Sequence, residues 1–245
     1  MRAPGTNCDA ETAFAFEQAG AQPELRHVNM LIREPGLFSQ YQIFVVPGGF
    51  TYGDDIAAGR ILANELRLRL GEHIQRFVED GRLILGICNG LQVLVKANIL
   101  CGLKSNREYP LTLTNNDSGR FECRWVHLRV NSASQCIFTR GMQTMYLPVA
   151  HGEGKIVTEP GISNIVVQYA DENGDARAGY PHNPNGSVDS IAGICDSTGR
   201  IFALMPHPER FIRWSQHPRW TRGFRNEYGD GFGIFQNAVS WVKTM

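Results

Sequence analysis

One cysteine lies between two glycines at the point where an apolar run meets a helical pattern. Cys88 occupies the segment GICNG, with Gly86 two residues before it and Gly90 two residues after it. This G-x-C-x-G arrangement is typical of a nucleophile elbow, a sharp strand-to-helix turn in which larger residues at the glycine positions would clash with the neighbouring strand and helix. The sulfur would lie at a helix N-terminus, where the helix dipole favours the thiolate. We therefore predict that Cys88 is a nucleophile and not a structural cysteine.

The other cysteines lack this context. No C-x-x-C pair occurs among the six cysteines, so their spacing predicts neither a zinc site nor a redox motif. We expect Cys101, Cys123, Cys136 and Cys195 to be buried structural thiols. A chain of this size without a recognisable export signal is expected to keep its cysteines reduced in the cytoplasm.

A cysteine nucleophile for acyl transfer needs a base and a group that orients the base. Two of the seven histidines are followed at the second position by glutamate: His151 with Glu153, and His207 with Glu209. Residues two apart on a strand point to the same side, so either pair could align an imidazole with a carboxylate. The residues alone leave both pairs open. They favour His207 modestly, because two prolines stiffen its loop and the strand before it is more apolar.

The reaction also needs fixed backbone N–H donors for the charge on the tetrahedral intermediate. One donor is expected to be the amide of Asn89, directly after the nucleophile. The loop VPGGFTYGDD would supply the second donor, because Gly48 and Gly49 let the backbone approach a substrate closely. A plain turn after a strand is the alternative interpretation of these two glycines.

The surrounding elements predict one α/β domain over residues 1–245 with a strand-rich second half. Apolar runs predict strands at 41–46 and 82–87, and helical periodicity predicts helices at 56–77, 90–97 and 233–243. Continuously apolar strands that alternate with helices are typical of a parallel sheet covered on both faces. After residue 110 the patterns predict further strands, with a hairpin in SIAGICDSTGRIFALMPH.

The composition argues against two classes of partner. The 245 residues include 24 lysines and arginines against 24 aspartates and glutamates, so the chain as a whole has no electrostatic footprint for nucleic acid or a membrane surface. No apolar run approaches the length of a membrane span. We therefore expect neither nucleic acid nor a membrane as a partner.

Several motifs resemble those of class I glutamine amidotransferases. The chain contains G-x-C-x-G-x-Q ending at Gln92, an upstream P-G-G loop and a late P-H-P-E motif, as in members with a Cys-His-Glu triad. Further blocks narrow the resemblance to the family of glutaminase subunits of phosphoribosylformylglycinamidine synthase, from purine biosynthesis. These blocks run in order across nearly the whole chain: PGTNCD, PGGFTYGDD, GICNGLQ, SGRFECRW, AHGEGK, YPHNPNGS and MPHPER.

The resemblance implies a role for each candidate residue. It decides between the histidine pairs and maps the triad onto Cys88, His207 and Glu209. It places the oxyanion hole at Gly49 and Asn89. The glutamine pocket would be formed by Gly48, Phe50, Gln92, His151, Gly152 and Glu153, and residues 183–187 would lie toward a partner.

The same resemblance implies a three-layer, flavodoxin-like fold with a mostly parallel central sheet. It implies hydrolysis of glutamine to glutamate and ammonia, and delivery of the ammonia to a separate synthetase subunit that converts formylglycinamide ribonucleotide to formylglycinamidine ribonucleotide. ATP and Mg²⁺ would bind to that synthetase. No cofactor or metal is expected in this chain, which lacks a phosphate-binding G-x-x-x-x-G-K-[ST] motif. A small third subunit would complete the complex in the cytoplasm.

Three rival functions remain: an amidotransferase of another pathway, a cysteine peptidase on the same fold, and a non-catalytic regulatory subunit. The first two leave SGRFECRW and NPNGS unexplained. The third is disfavoured because every member of the implied triad is present.

The N-terminus departs from the family pattern. An apolar strand usually precedes PGTNCD in this family, but only Met1, Arg2 and Ala3 precede Pro4 here. Because a strand takes about five to six residues, either the natural start lies upstream or the first strand is a stub. We expect a partly empty slot beside the strand at 41–46, and reduced stability.

Overall fold

The computed structural model of the protein describes residues 1–100, 111–159, 164–222 and 227–245. Its α-helices are α1 (Asp9–Gln18), α2 (Val28–Arg33), α3 (Arg60–Arg69), α4 (Gly71–Glu79), α5 (Asn89–Lys96) and α6 (Phe232–Val242). Its strands are β1 (Ile43–Val46), β2 (Leu83–Ile87), β3 (Leu111–Thr114), β4 (Glu122–Val130), β5 (Thr144–His151), β6 (Lys155–Thr158), β7 (Ile165–Ala170), β8 (Ile191–Cys195) and β9 (Ile201–Leu204). The fold is α/β, as predicted, and its second half is rich in strands.

Seven strands form one sheet in the order β1-β2-β9-β8-β7-β4-β5, and β3 pairs with β6 separately. β1, β2 and β9 run parallel, whereas the remaining pairs of the large sheet are antiparallel. The prediction of a mostly parallel sheet is therefore wrong, because the sheet is mixed. The helical crossover through α3 and α4 keeps β1 and β2 parallel. No α-helix joins β4 to β5 or β8 to β9, and these direct returns reverse the strand direction.

The parallel strands, which lie at one end of the sheet, are covered on both faces at β2 and β9. Every residue of β2 and of β9 is buried, which requires packing partners above and below these strands. Helix α5 packs against β1, β2 and β9, and it also contacts α3. The predicted apolar strands therefore lie where the sequence pattern indicates.

The predicted helix at 56–77 is two helices. α3 ends at Arg69 and α4 begins at Gly71, and Leu70 between them has a φ of −122°, outside the helical range. Ile56 opened the predicted pattern, but it precedes α3 and is 71% exposed. The helical periodicity of apolar residues did not reveal the break, because α3 and α4 both bury apolar residues at helical spacing.

The structure separates the cysteines that were predicted to be structural. Cys136 and Cys195 are buried free thiols, as predicted, and Cys101 lies outside the described residues. Cys123 is exposed, so its predicted burial is wrong. It follows the buried Glu122 on β4, and alternation along the strand turns it toward solvent.

The first three residues border β1. The Met1 ammonium group donates to the Val45 carbonyl at 2.9 Å, and Arg2 pairs with His27 in an isolated bridge. A cavity of about 470 Å³ adjoins them, and Met1, Ile43 and Val45 are among its lining residues. This is the position of the predicted partly empty slot. The predicted loss of stability remains a prediction.

Within the described parts of the chain, no helix combines the length and the apolar character needed to span a membrane.

Candidate active site

Cys88 lies at a strained turn between β2 and α5. Its φ of 51° and ψ of −105° are unfavourable for a residue with a side chain. Its amide donates to the Leu204 carbonyl of β9 at 2.8 Å. A Cβ on Gly90 would lie 1.9 Å from the Val46 carbonyl oxygen, and a Cβ on Gly86 would lie 2.9 Å from the Gly90 backbone. The glycine spacing therefore corresponds to an elbow that only glycine permits at both positions.

His207 comes to the same edge of the sheet because it follows β9, the parallel neighbour of β2. Its Nδ1 donates to the Glu209 carboxylate at 2.6 Å, and both side chains are buried. Its Nε2 has no hydrogen-bond partner among the described residues. Burial alone would lower the pKa of His207, but the charges of Glu209 and Cys88 raise the pKa well above its usual value. This imidazole is equipped to accept a proton from Cys88 through Nε2.

The second histidine pair is not aligned. The Nδ1 of His151 donates to the Asn116 amide oxygen at 3.0 Å, whereas the Glu153 carboxylate pairs with Lys96 at 2.8 Å. Burial lowers the pKa of His151 to about 4, and the charge of His207 acts in the same direction. His151 is therefore neutral near pH 7, with Nε2 buried. Nothing in the local sequence marks Asn116, which lies 35 residues away, so sequence reasoning missed this partner.

A buried network ties the start of α5 to two loops. The Asn89 side chain donates to Gln92 at 2.8 Å and accepts from the Thr51 hydroxyl at 2.7 Å. Gln92 in turn donates to the Glu153 carbonyl at 2.5 Å, and Lys96 holds the Glu153 carboxylate. The side chains of Gln92 and Glu153 are thus already engaged, and they hold the loops that surround the nucleophile.

Gly48 leaves room for the imidazole of His207. A Cβ on Gly48 would lie 2.8 Å from Cε1 of His207. The Gly48 carbonyl accepts from the amides of Asn7 at 3.4 Å and Cys8 at 3.2 Å, so the N-terminal segment holds this loop in place. The glycine is therefore a packing requirement of the site, beyond a plain turn.

The two amides predicted for the oxyanion hole, those of Gly49 and Asn89, are not donors in the backbone hydrogen bonds beside them. Next to Gly49, the amide that donates to the Gly5 carbonyl, at 3.0 Å, is that of Phe50. Asn89 is the first residue of α5, so its amide has no acceptor within the helix. Both amides are therefore free of these local backbone bonds, as donors to an oxyanion must be.

An aromatic rim lies beside these loops. Phe50 and Phe121 are 45% and 53% exposed, and their ring centroids are 6.3 Å apart. A Cβ on Gly152 would lie 3.8 Å from the Phe121 ring. Phe50 and Gly152 are predicted substrate-binding residues, whereas nothing in the motif SGRFECRW singles out Phe121 for this rim.

Residues 183–187 support the site from within. The Asn185 side chain donates to the Gly154 carbonyl at 2.8 Å, and the Ser187 hydroxyl accepts from the Ile156 amide at 2.9 Å. Asn185 and Ser187 are buried, so these two side chains point into the protein. That the segment lies toward a partner stays a prediction.

The whole chain matches known glutamine amidotransferases. Residues 1–242 match the family model of the CobB/CobQ-like glutamine amidotransferase domain. The chain is 56% identical over 247 residues to the phosphoribosylformylglycinamidine synthase subunit PurQ of Dehalococcoides mccartyi, with 99% of this chain and 96% of that protein covered. The chain belongs to the PurQ family of glutamine amidotransferases. The PurQ of Archaeoglobus fulgidus is 41% identical over 268 residues, with 100% and 96% covered.

A solved structure supports the same PurQ assignment at the level of the fold. The structure described as PurLQS from Thermotoga maritima aligns with a TM-score of 0.74 at 29% identity, covering 98% of this chain and 96% of that chain. The mixed sheet, and with it the edge that carries Cys88 and His207, belongs to the part of the chain that aligns.

Proposed function

We propose that the protein hydrolyses glutamine to glutamate and ammonia as the glutaminase subunit of phosphoribosylformylglycinamidine synthase. The observation that carries this proposal is the Cys88 elbow at the same sheet edge as the aligned His207–Glu209 pair, in a chain 56% identical to a PurQ subunit. A thiol, a base and an orienting carboxylate are the groups that acyl transfer from an amide requires.

In the proposed reaction, Nε2 of His207 takes the proton of Cys88, and Glu209 stabilises the imidazolium. The thiolate attacks the side-chain amide carbon of glutamine, while the amides of Gly49 and Asn89 stabilise the oxyanion. His207 then protonates the leaving nitrogen, and the C–N bond breaks to give a glutamyl thioester and ammonia. Water, deprotonated by His207, cleaves the thioester and restores the thiol.

The residues proposed for the glutamine pocket act in two ways. Phe50, Gly152 and the Gly48 backbone would contact the substrate, and the neutral His151 would offer the lone pair of Nε2. Gln92 and Glu153 would shape the pocket indirectly, since their side chains hold the loops around it.

The ammonia must be protected from bulk water, where it would be protonated and lose its nucleophilicity. We infer that it passes inside a complex to a synthetase subunit that uses ATP and Mg²⁺ to convert formylglycinamide ribonucleotide to formylglycinamidine ribonucleotide. A small third subunit would complete this assembly, and the present chain would need no cofactor. The Thermotoga structure described as PurLQS supports a multi-subunit assembly, and the free thiols agree with a cytoplasmic location.

The deciding experiment is glutamine hydrolysis measured with and without the cognate synthetase. We expect the activity to rise with the synthetase and to vanish in C88A. H207N should lower kcat by at least about 10³-fold, whereas H151N should cost far less. C136A removes a buried thiol elsewhere in the fold and serves as the control.

Three outcomes would favour a rival function. Hydrolysis of peptides in place of glutamine would indicate a peptidase. Glutaminase activity without transfer of ammonia to formylglycinamide ribonucleotide would indicate another pathway. A purified complex that is inactive toward glutamine would indicate a regulatory subunit.

A further inference from the structure

A second thiol lies against the imidazole of His207. Sγ of Cys8 is 3.9 Å from Nδ1 of His207 and has no exposed surface. Arg210 donates to Sγ through Nη2 at 3.1 Å, and the thiol donates to the Asn7 side-chain oxygen at 3.1 Å. The sulfur therefore has a defined donor and a defined acceptor in addition to its contact with the ring.

The backbone around Cys8 is held as firmly as its side chain. Its amide donates to the Gly48 carbonyl at 3.2 Å, and its carbonyl accepts from the Thr12 hydroxyl at 2.6 Å. A Cβ on Gly48 would lie 3.1 Å from Sγ of Cys8 and 2.8 Å from Cε1 of His207. The thiol, the glycine backbone and the imidazole thus form one close-packed contact.

This contact restricts the orientation of the His207 ring. The hydrogen bond from Nδ1 to Glu209 holds one atom of the ring, but a single hydrogen bond still allows the ring plane to tilt. The Cys8 sulfur occupies the space beside Nδ1 and opposes such a tilt. We propose that Cys8, anchored by Arg210, is a positioning residue that holds the ring plane of His207 so that Nε2 faces Cys88. The inference rests on the role proposed above for His207.

A metal site is the alternative use of these groups. Donor atoms of Cys8, His207 and Glu209 lie within 4.8 Å of one another. However, the Arg210 guanidinium already binds Sγ and places a positive charge where a cation would have to lie. Glu209 also occupies Nδ1 of His207. These contacts favour a hydrogen-bonded positioning thiol.

The test compares C8A and C8S in the complex with the synthetase. C8A removes the sulfur and leaves Arg210 without its acceptor, so we expect kcat for glutamine hydrolysis to fall about 10- to 100-fold with KM nearly unchanged. The hydroxyl of C8S can keep both hydrogen bonds and should restore most of the activity. C136A also replaces a buried cysteine by alanine, and it should leave both constants unchanged.

A readout that does not depend on activity is the pH titration of the His207 ring by ¹⁵N NMR, assigned with H207N. Because Cys8 contributes to the raised pKa of His207, the ring of C8A should titrate at lower pH, and the alkaline limb of kcat/KM should move the same way. C8S and C136A should titrate like the wild type. If C8A does not fold, R210K keeps the positive charge near His207 but removes the Nη2 donor that anchors the thiol, and it should shift the titration in the same direction.

The outcomes separate this inference from the proposed function. An unchanged His207 titration in folded C8A, or in R210K where C8A does not fold, overturns the positioning role, whatever the activity. A shifted titration supports it even if the wild-type complex fails to hydrolyse glutamine, in which case the proposed function fails.

Discussion

The two buried histidines of the site are held in opposite states of charge. Despite burial, Glu209 and Cys88 keep the pKa of His207 well above its usual value, whereas burial lowers the pKa of His151 to about 4. The Asn116 amide oxygen accepts a hydrogen bond from Nδ1 of His151, which leaves Nε2 of His151 as an acceptor. The charged ring is therefore favoured at His207 and disfavoured at His151, so the second ring does not compete for the proton.

The neutral state of His151 predicts a specific pH dependence of stability. A folded pKa of about 4 against about 6.5 in the unfolded chain means that stability is retained above pH 6.5 and lost as the pH falls toward 4. We expect His151 to lower the free energy of unfolding by about 2 kcal/mol between pH 7 and pH 5. Urea unfolding of wild type and H151Q should show this fall in the wild type only. Equal pH dependence of the two proteins would contradict the buried, neutral state.

For individual residues, the sequence predicted those features of the site that depend on residues nearby in the chain. The glycines around Cys88 predicted the elbow because their spacing is a local pattern, although the clash that Gly90 avoids is with Val46 on β1. The residues favoured His207 over His151 only modestly, because Asn116, the partner of His151, lies far from it along the chain. Nothing near Cys8 in the sequence indicates its contact with His207, because the two positions are 199 residues apart.

The elbow also shows how one helix positions the site. α5 begins directly after Cys88 and approaches β1 so closely that Gly90 touches the Val46 carbonyl. The side chains of Asn89, Gln92 and Lys96 then extend from α5 to the loops that carry Thr51 and Glu153. The position of α5 therefore controls both the thiol and the pocket walls.

Replacing Gly90 by alanine should break this arrangement. The new Cβ would lie 1.9 Å from a backbone oxygen of β1, which cannot move without distorting the sheet. We expect G90A to lose about 3 kcal/mol or more of unfolding free energy, measured by chemical denaturation. G36A is the matched control, because a Cβ there meets no atom within 4 Å. A G90A protein as stable as G36A would exclude the close contact.

Element types were more predictable than their directions. The apolar runs located β1 and β2 to within about two residues, because continuous burial leaves a strong pattern. Strand direction depends on the connections. The Ser-Thr-Gly turn predicted the antiparallel pair of β8 and β9, whereas nothing in the composition of β4, β5 and β7 showed that these strands are also antiparallel to their neighbours. The break at Leu70 was equally hidden, because the apolar spacing continues across it.

The strands of the large sheet differ in how well neighbouring strands cover their edges. β2 and β9 lie between neighbours, whereas β1 is the last strand and is bordered on its free side by Met1 and the 470 Å³ cavity. Local opening is therefore expected to cost less free energy at β1 than at β2 and β9.

Hydrogen exchange should show this asymmetry. We expect amides of β1 to exchange at least about tenfold faster than those of β2 and β9, because local opening costs least where few partners are lost. Mass spectrometry of peptic fragments would measure the difference. Equal protection of β1 and β2 would show that the cavity does not weaken this edge.

The hydrogen bond between the Cys88 amide and the Leu204 carbonyl joins the nucleophile directly to β9, the strand that leads to His207. The distance between Cys88 and the end of β9 is therefore set by the pairing of strands in the sheet. A contact of another protein with the outer loops is therefore expected to move the mouth of the site more readily than it moves Cys88 relative to the end of β9.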